Sequence, residues 1–370
     1  MQPGSLRWSN KLWRMPETIS QFEGRKRDHI ALALKDETEA IGLSGLERLE
    51  LIHEALPDLN FSDVQINQHT LGHEVKTPFF ISSMTAGHYD STNLNIRLAR
   101  AAEARGWWMG VGSQRRELFD EKARLEWRNV RAAAPNVRLM GNIGISQLIV
   151  TEIDRVRALV DALEARAMII HLNALQECFQ PEGTTQFRGG LEKIANLVSA
   201  LKETPIIVKE TGCGFSAATL KRLKETGVAV VDVGGFGGTH WGRIEGLRAK
   251  GIDQVREAAA ETFADWGVST VDSVLNALDA MAKYEVWASG GVRNGLDAAK
   301  LLALGARRVG FAKPILQAAL AGDETLNLKL ETIEFELKTA LFCTGCVSID
   351  DLRHRKVWQW RQANQKMPTK

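Results

Sequence analysis

Several strings in this chain place ionisable, amide and glycine residues directly after a short apolar run. The richest is His171-Leu172-Asn173-Ala174-Leu175-Gln176-Glu177, which closes the run Met168–Leu172. In an extended segment His171 and Asn173 fall on one face, because strand side chains alternate with a period of two. Gln176 and Glu177 follow in the loop above. An imidazole, two amides and a carboxylate so close together can orient a polar substrate, shuttle a proton or offer an oxygen to a hard divalent cation. A lone histidine is more often a satisfied core residue, but four polar groups at one strand end point to a site. A second string, Val208-Lys209-Glu210-Thr211-Gly212-Cys213-Gly214, ends another apolar run on a lysine. A buried lysine is costly unless paired. Lys209 therefore either salt-bridges Glu210 or faces an anionic ring or substrate.

Two glycine strings point to an anion. Ala288-Ser289-Gly290-Gly291-Val292-Arg293-Asn294-Gly295 and Gly310-Phe311-Ala312-Lys313-Pro314 each lead directly into a helical stretch. Glycines let backbone N–H groups approach an anion, and a helix N-terminus favours negative charge. Tight turns alone would also use these glycines; two such loops together favour a bound phosphate. Met84-Thr85-Ala86-Gly87, Gly112-Ser113-Gln114-Arg115, Gly141-Asn142-Ile143-Gly144 and Gly237-Gly238-Thr239-His240-Trp241 add small or hydrogen-bonding groups after other apolar runs.

The elements that must position these strings form a rhythm. The apolar runs are Phe79–Met84, Trp108–Gly112, Arg138–Ile143, Met168–Leu172, Ile206–Lys209, Val228–Val233, Val286–Ser289 and Val309–Ala312. Most are nearly continuous in apolar residues, as parallel strands buried on both faces are. Between them lie helical patterns such as Thr92–Arg105, Thr151–Ala165, Leu191–Leu201, Ala217–Glu225, Leu296–Leu304 and Pro314–Ala321. Alternating strands and helices imply right-handed parallel crossovers, and eight of them suit a closed α/β barrel, the (β/α)8 TIM barrel. An open doubly wound sheet would be expected to show GxGxxG after its first strand, and this chain does not. Barrel chemistry sits where strands end, and the last two loops are the usual phosphate site. We divide the chain into an N-terminal arm (1–78) with a helix over Gly45–Leu56, the barrel (79–321), and a C-terminal helical extension with a basic tail (322–370). Phe236–Val268 is a long Gly-rich excursion on the catalytic face, where lids often sit.

Composition narrows the rest. Among 370 residues, 44% are hydrophobic and 25% charged, and 47 basic against 45 acidic residues give a net charge of +2, so no bulk field points to nucleic acid or a membrane. After Asp351 the tail carries Arg353, Arg355, Lys356, Arg361, Lys366 and Lys370, read as solvated or as contacting a partner subunit or phosphate. Cys178, Cys213, Cys343 and Cys346 make no disulfide framework, which suggests a reducing, cytoplasmic compartment. Cys343-Thr344-Gly345-Cys346 follows a helical stretch, Glu331–Leu341, without a second ligand pair, so we read buried thiols there rather than zinc or redox chemistry. Met1–Asn10 has no apolar core of a signal peptide, and no apolar run is long enough to span a bilayer.

Together the strings resemble the type 2 isopentenyl-diphosphate isomerases, from Arg25-Lys26-Arg27-Asp28-His29 to Gly310-Phe311-Ala312-Lys313-Pro314, with HLNALQE, VKETGCG and GGFGGTHW the most specific. The resemblance implies FMN, a magnesium ion, NAD(P)H to prime the flavin, and an isoprenoid diphosphate substrate. It implies that Met84, Thr85, Ala86, Ser113, Asn142, Lys209, Thr239, Gly290, Gly291, Arg293, Ala312 and Lys313 surround FMN. Arg25 and Lys26 would reach the diphosphate, with Ser113, Arg115, His171, Asn173 and Gln176 near the substrate and Glu177 holding magnesium. His171, Asn173, Gln176 and Lys209 would be catalytic, and a homotetramer or homo-octamer is implied. Three positions depart from the family pattern: Ala86 where relatives carry glycine, His240 where many carry Ser or Asn, and Lys313 where many are apolar.

The implied reaction moves a double bond by adding a proton at one carbon and removing one from another. That requires a dry pocket and a strong local acid–base. A neutral amide is a poor proton donor, so Gln176 positions while reduced FMN supplies the acid–base function. Lys209 would stabilise the anionic ring. Two rivals stand beside this reading. An FMN-dependent 2-hydroxy-acid oxidase or dehydrogenase would share the phosphate loops and the lysine, but carries an HGGRQ-like string that this chain lacks. A non-catalytic phosphometabolite-binding barrel would not need the polar strand ends.

Overall fold

A computed structural model describes residues 19–84, 92–120 and 123–362. Its centre is a closed parallel barrel of β1 (Phe79–Ile81), β2 (Trp108–Gly110), β3 (Arg138–Gly144), β4 (Ala167–Leu172), β5 (Ile206–Glu210), β6 (Val230–Asp232), β7 (Glu285–Ala288) and β8 (Arg308–Phe311). The strands pair in sequence order and β8 closes on β1, Val309 lying opposite Phe79. The fold expected from the apolar rhythm is the fold observed, each strand falling on one of the expected runs with one or both of its ends shifted by one to three residues.

The continuous apolar character of the strands reflects two separate packings. Phe80, Trp108, Met140, Ile169, Ile207, Val230 and Trp287 point inward and fill the barrel. Phe79, Ile81, Met109, Leu139, Ile170, Val208, Val231 and Val309 point outward against the surrounding helices. Those helices include Thr92–Arg105, Ile153–Leu163, Gly190–Ala200, Ala217–Lys224, Thr270–Asp279, Gly295–Leu304 and Lys313–Ala321. The long helix Asp323–Cys343 then packs on the last two. On the excursion after β6 lie two helices, Trp241–Ala249 and Gln254–Thr262.

One expectation is corrected. Gly45–Leu56 is not a helix: a 3-10 turn, Leu46–Arg48, leads into the strand Leu49–Leu51, which pairs antiparallel with Trp358–Trp360. The helical spacing of its leucines is overridden by this pairing between the two ends of the chain, with Leu49 buried against the barrel's helices. In the described part of the basic tail Arg355 and Lys356 are exposed, as a solvated tail would be, while Arg353 and Arg361 are partly buried in bonds within the chain. Arg353 donates to Gln68 Oε1 at 2.6 Å and to the Ala306 carbonyl at 3.0 Å, Arg355 donates to the Gly345 carbonyl, and Arg361 lies 3.6 Å from Glu50. Lys366 and Lys370 fall outside the described residues.

The arm holds one helix that periodicity did not reveal, Ile19–Ala33. It places Arg25, Lys26, His29, Ile30 and Ala33 along one face, spaced by about one helical turn.

Candidate active site

Strand register brings the polar residues together. Gly144 lies opposite His171, His171 opposite Lys209, and Lys209 opposite Asp232. Three ionisable side chains therefore stand in one row at the C-terminal end of the barrel, where parallel neighbours are about 4.8 Å apart.

Lys209 is 2.8 Å from Asp232 Oδ2 and donates to Ser289 Oγ at 2.7 Å, and Ser289 in turn donates to Asp232 Oδ1 at 2.7 Å. The simple salt bridge to Glu210 is thus excluded. Glu210 instead accepts from the backbone N–H groups of Gly212, Cys213 and Gly214 at 2.7, 2.5 and 2.9 Å. It shapes the loop after β5, and burial pushes its carboxyl up to about 7.

His171 is held neutral. Burial, with the nearby charges of Lys26 and Lys209, lowers it to about 3. Its Nδ1 lies 2.8 Å from Asn142 Oδ1, while Asn142 Nδ2 donates to the Val111 carbonyl. The asparagine oxygen is therefore the acceptor, Nδ1 carries the proton, and Nε2 is left as an acceptor.

Asn173 Nδ2 donates to Gln176 Oε1 at 3.1 Å and to Glu177 Oε1 at 3.0 Å. The other Glu177 oxygen accepts from Thr184 N–H at 2.5 Å. Gln176 Nε2 donates to Glu245 at 3.0 Å. Glu245, on the helix Trp241–Ala249, also accepts from His29 Nε2 at 2.9 Å and from Arg248 at 2.6 Å. Burial opposes its charge, but these donors hold its carboxyl down at about 2. Burial keeps His29 neutral, lowered to about 4, so Nε2 carries the proton it donates.

These groups line one cleft of about 1600 Å³, its open mouth included. Met84, Ser113, Asn142, Lys209, Thr239, Gly290, Gly291, Arg293, Ala312 and Lys313 line it, as do Arg25, Lys26, Arg115, His171, Asn173, Gln176 and Glu177. Thr85 and Ala86 lie outside the described residues. Glu177 is the one carboxylate among the described lining residues. Among the described residues no group of three or more His, Cys, Asp and Glu side chains could hold a metal by itself. A divalent ion on Glu177 would complete its coordination with water or with oxygens of a ligand.

The glycines have a further requirement. Gly290 and Gly291 have φ of +101° and +70°, and a Cβ would lie 2.1 Å from the Gly235 carbonyl oxygen and 2.6 Å from that of Gly237. The β7 loop packs backbone against backbone on the β6 loop, so neither position admits a side chain. His240 is buried and lies outside the lining of the cleft. Its Nδ1 caps the helix Trp241–Ala249 by accepting from Arg243 N–H at 3.2 Å. Asp232, Glu245, His29 and the Ser82–Ser83 pair escaped sequence reading. Asp232 carried a usable signal, an acidic residue inside an apolar run.

Residues 177–359 match the family described as FMN-dependent dehydrogenase. A protein of Bdellovibrio bacteriovorus named isopentenyl-diphosphate delta-isomerase is 55% identical over 349 residues, 93% of this chain and 100% of that one. One of Legionella pneumophila with the same name is 52% identical over 341 residues, 92% of this chain and 99% of that one. This chain belongs to the isopentenyl-diphosphate delta-isomerase family. Among solved structures, a flavocytochrome b2 variant with pyruvate bound matches with a TM-score of 0.65 at 19% identity, covering 92% of this chain and 84% of that one. That likeness is one of fold. The delta-isomerase family membership rests on the two sequence matches, each running almost end to end.

Proposed function

We propose that the chain interconverts isopentenyl diphosphate and dimethylallyl diphosphate, a 1,3-shift of a double bond, with reduced FMN, magnesium and NAD(P)H to prime the flavin. The observation that carries this reading is the meeting, in one cleft of a delta-isomerase chain, of the lysine after β5, the His-Asn-Gln-Glu set after β4 and the glycine loops after β7 and β8. The lining fits a flavin. Ser82 Oγ, Ser83 Oγ and Asn173 Oδ1 are buried oxygens without a partner among the described residues, and all three residues line the cleft. Buried polar atoms of this kind call for a ligand or ordered water. Bound there, reduced FMN would supply the acid–base chemistry of the double-bond shift.

The protein's own part is binding, orientation and exclusion of water. Lys209, fixed between Asp232 and Ser289, would offer a cation to an anionic ring. Neutral His171 would accept a hydrogen bond at Nε2 without adding charge to a pocket that already holds Lys209 and Lys26. Gln176, pinned by Asn173 and Glu245, would orient the substrate. Glu177 would share a magnesium ion with diphosphate oxygens, the usual arrangement for that cation. Arg25 and Lys26 would reach the diphosphate from the arm. Ile30, Ala33, Trp241 and Leu316 supply an apolar wall for the hydrocarbon.

The test is anaerobic incubation with FMN, NADPH, magnesium and isopentenyl diphosphate, with dimethylallyl diphosphate as the expected product. No conversion, together with flavin reduction by lactate or a similar acid, would sink this reading in favour of a 2-hydroxy-acid oxidase. That rival has little support here: the histidine after β6 caps a helix and does not line the cleft.

A further inference from the structure

Arg293 and Lys313 begin the two turns read as the phosphate cradle, yet each already holds an anion. Glu39, in the arm, places Oε2 2.6 Å from Arg293 Nη2 and Oε1 2.9 Å from Lys313 Nζ. The backbone beside it is fastened to the β6 loop. Glu39 forms a bridge with Thr239, Ala40 N–H donates to the Gly238 carbonyl at 2.8 Å, and Arg243 donates to the Glu39 carbonyl at 2.7 Å. Lys313 also donates to the Lys35 carbonyl at 3.0 Å and lies 3.3 Å from Asp36. Asp36 is almost fully exposed, so Glu39 is the less screened of its two carboxylates.

We propose that Glu39 competes with the cofactor's phosphate for Arg293 and Lys313, and so sets the affinity for the phosphorylated cofactor. The inference rests on the FMN reading above. One carboxylate cancels one of the two positive charges that the cradle presents. A phosphate dianion entering the cradle either displaces the carboxylate or sits beside it, and both cost free energy through loss of an ion pair or like-charge repulsion. Because the same carboxylate is built into the arm, cofactor seating is coupled to how firmly the arm lies on the barrel. Lys313 is thereby more than extra charge near the phosphate: it joins the cradle to the segment that follows Arg25, Lys26 and His29.

The test compares FMN with riboflavin, which lacks the phosphate. Dissociation constants are measured by flavin fluorescence quenching on the cofactor-stripped full chain, for wild type and Glu39→Gln, at low and high salt. Glutamine keeps the shape and removes the charge. The expected result is FMN binding tightened by at least about fivefold in the variant at low salt, with riboflavin unchanged and the gain shrinking as salt rises. FMN affinity that is unchanged or weakened overturns the proposal, as does equal tightening of riboflavin. A wild-type chain that binds neither flavin overturns the FMN reading itself, and this inference with it. Matching melting temperatures of the two stripped proteins establish that the comparison is between folded chains.

Discussion

Lys209 and Asp232 form an ion pair 2.8 Å apart across adjacent strands, with Ser289 bonded to both. Removing one partner of such a pair leaves the other charge buried and uncompensated, which costs roughly 3–5 kcal/mol. Asp232→Asn should lower stability by about that amount in urea denaturation. It should also lower kcat about 10- to 100-fold with little change in KM, because the lysine loses its fixed position while the contacts proposed for the diphosphate do not involve Asp232. Unchanged turnover would show that Asp232 is merely structural. Residues at strand ends were legible because polar groups next to apolar runs stand out in one dimension. Lys209, His171, Asn173, Gln176 and Glu177 were found in that way. Their supports were not. Asp232 sits inside an apolar run and Glu245 on a helix of the β6 excursion, and their roles come from register and from tertiary packing that spacing does not encode.

The arm helix is the element whose placement matters most, because it brings Arg25, Lys26, His29 and Ile30 to the cleft. Its N-terminal part is tied to the barrel by Arg116, which lies 2.9 Å from Glu23 on the helix and 3.0 Å from Glu126 and 3.2 Å from Asp120 on the barrel side. Arg116 itself does not line the cleft. Arg116→Ala should therefore raise KM for the diphosphate substrate about tenfold, equivalent to ~1.4 kcal/mol of lost binding. FMN affinity should stay the same. A fall in kcat with KM unchanged would assign Arg116 to the chemistry instead. The barrel strands and their helices were legible because each carries its own periodicity. The Gly45–Leu56 segment was misread as a helix because its partner, Trp358–Trp360, lies some 300 residues away, and no local pattern announces the pairing.

At the scale of the whole molecule, a net charge of +2 conceals an interior in which several ionisable groups are held away from their ordinary values. Their pH effects oppose one another. His29 and His171 are lowered by burial from 6.5 to about 4 and about 3. The unfolded chain binds these protons first, so stability is lost as pH falls below 6.5. Glu117 and Glu210 are raised by burial from 4.5 to about 7. Their contribution is fully present below 4.5 and is lost as pH rises toward 7, because only the unfolded chain releases the proton in that window. The two slopes overlap between 4.5 and 6.5 and flatten the profile of the wild type. Glu117 offers a way to separate them. It is buried and accepts from Trp127 Nε1 at 2.8 Å, a bond that a glutamine carbonyl can keep. Glu117→Gln removes one titration and little else. Relative to wild type, the variant should gain stability progressively from pH 4.5 to 7 and hold a constant advantage above that, as read from urea denaturation at pH 4.5, 6 and 8. A stability difference that is the same at all three values would mean that Glu117 does not keep its proton in the folded chain.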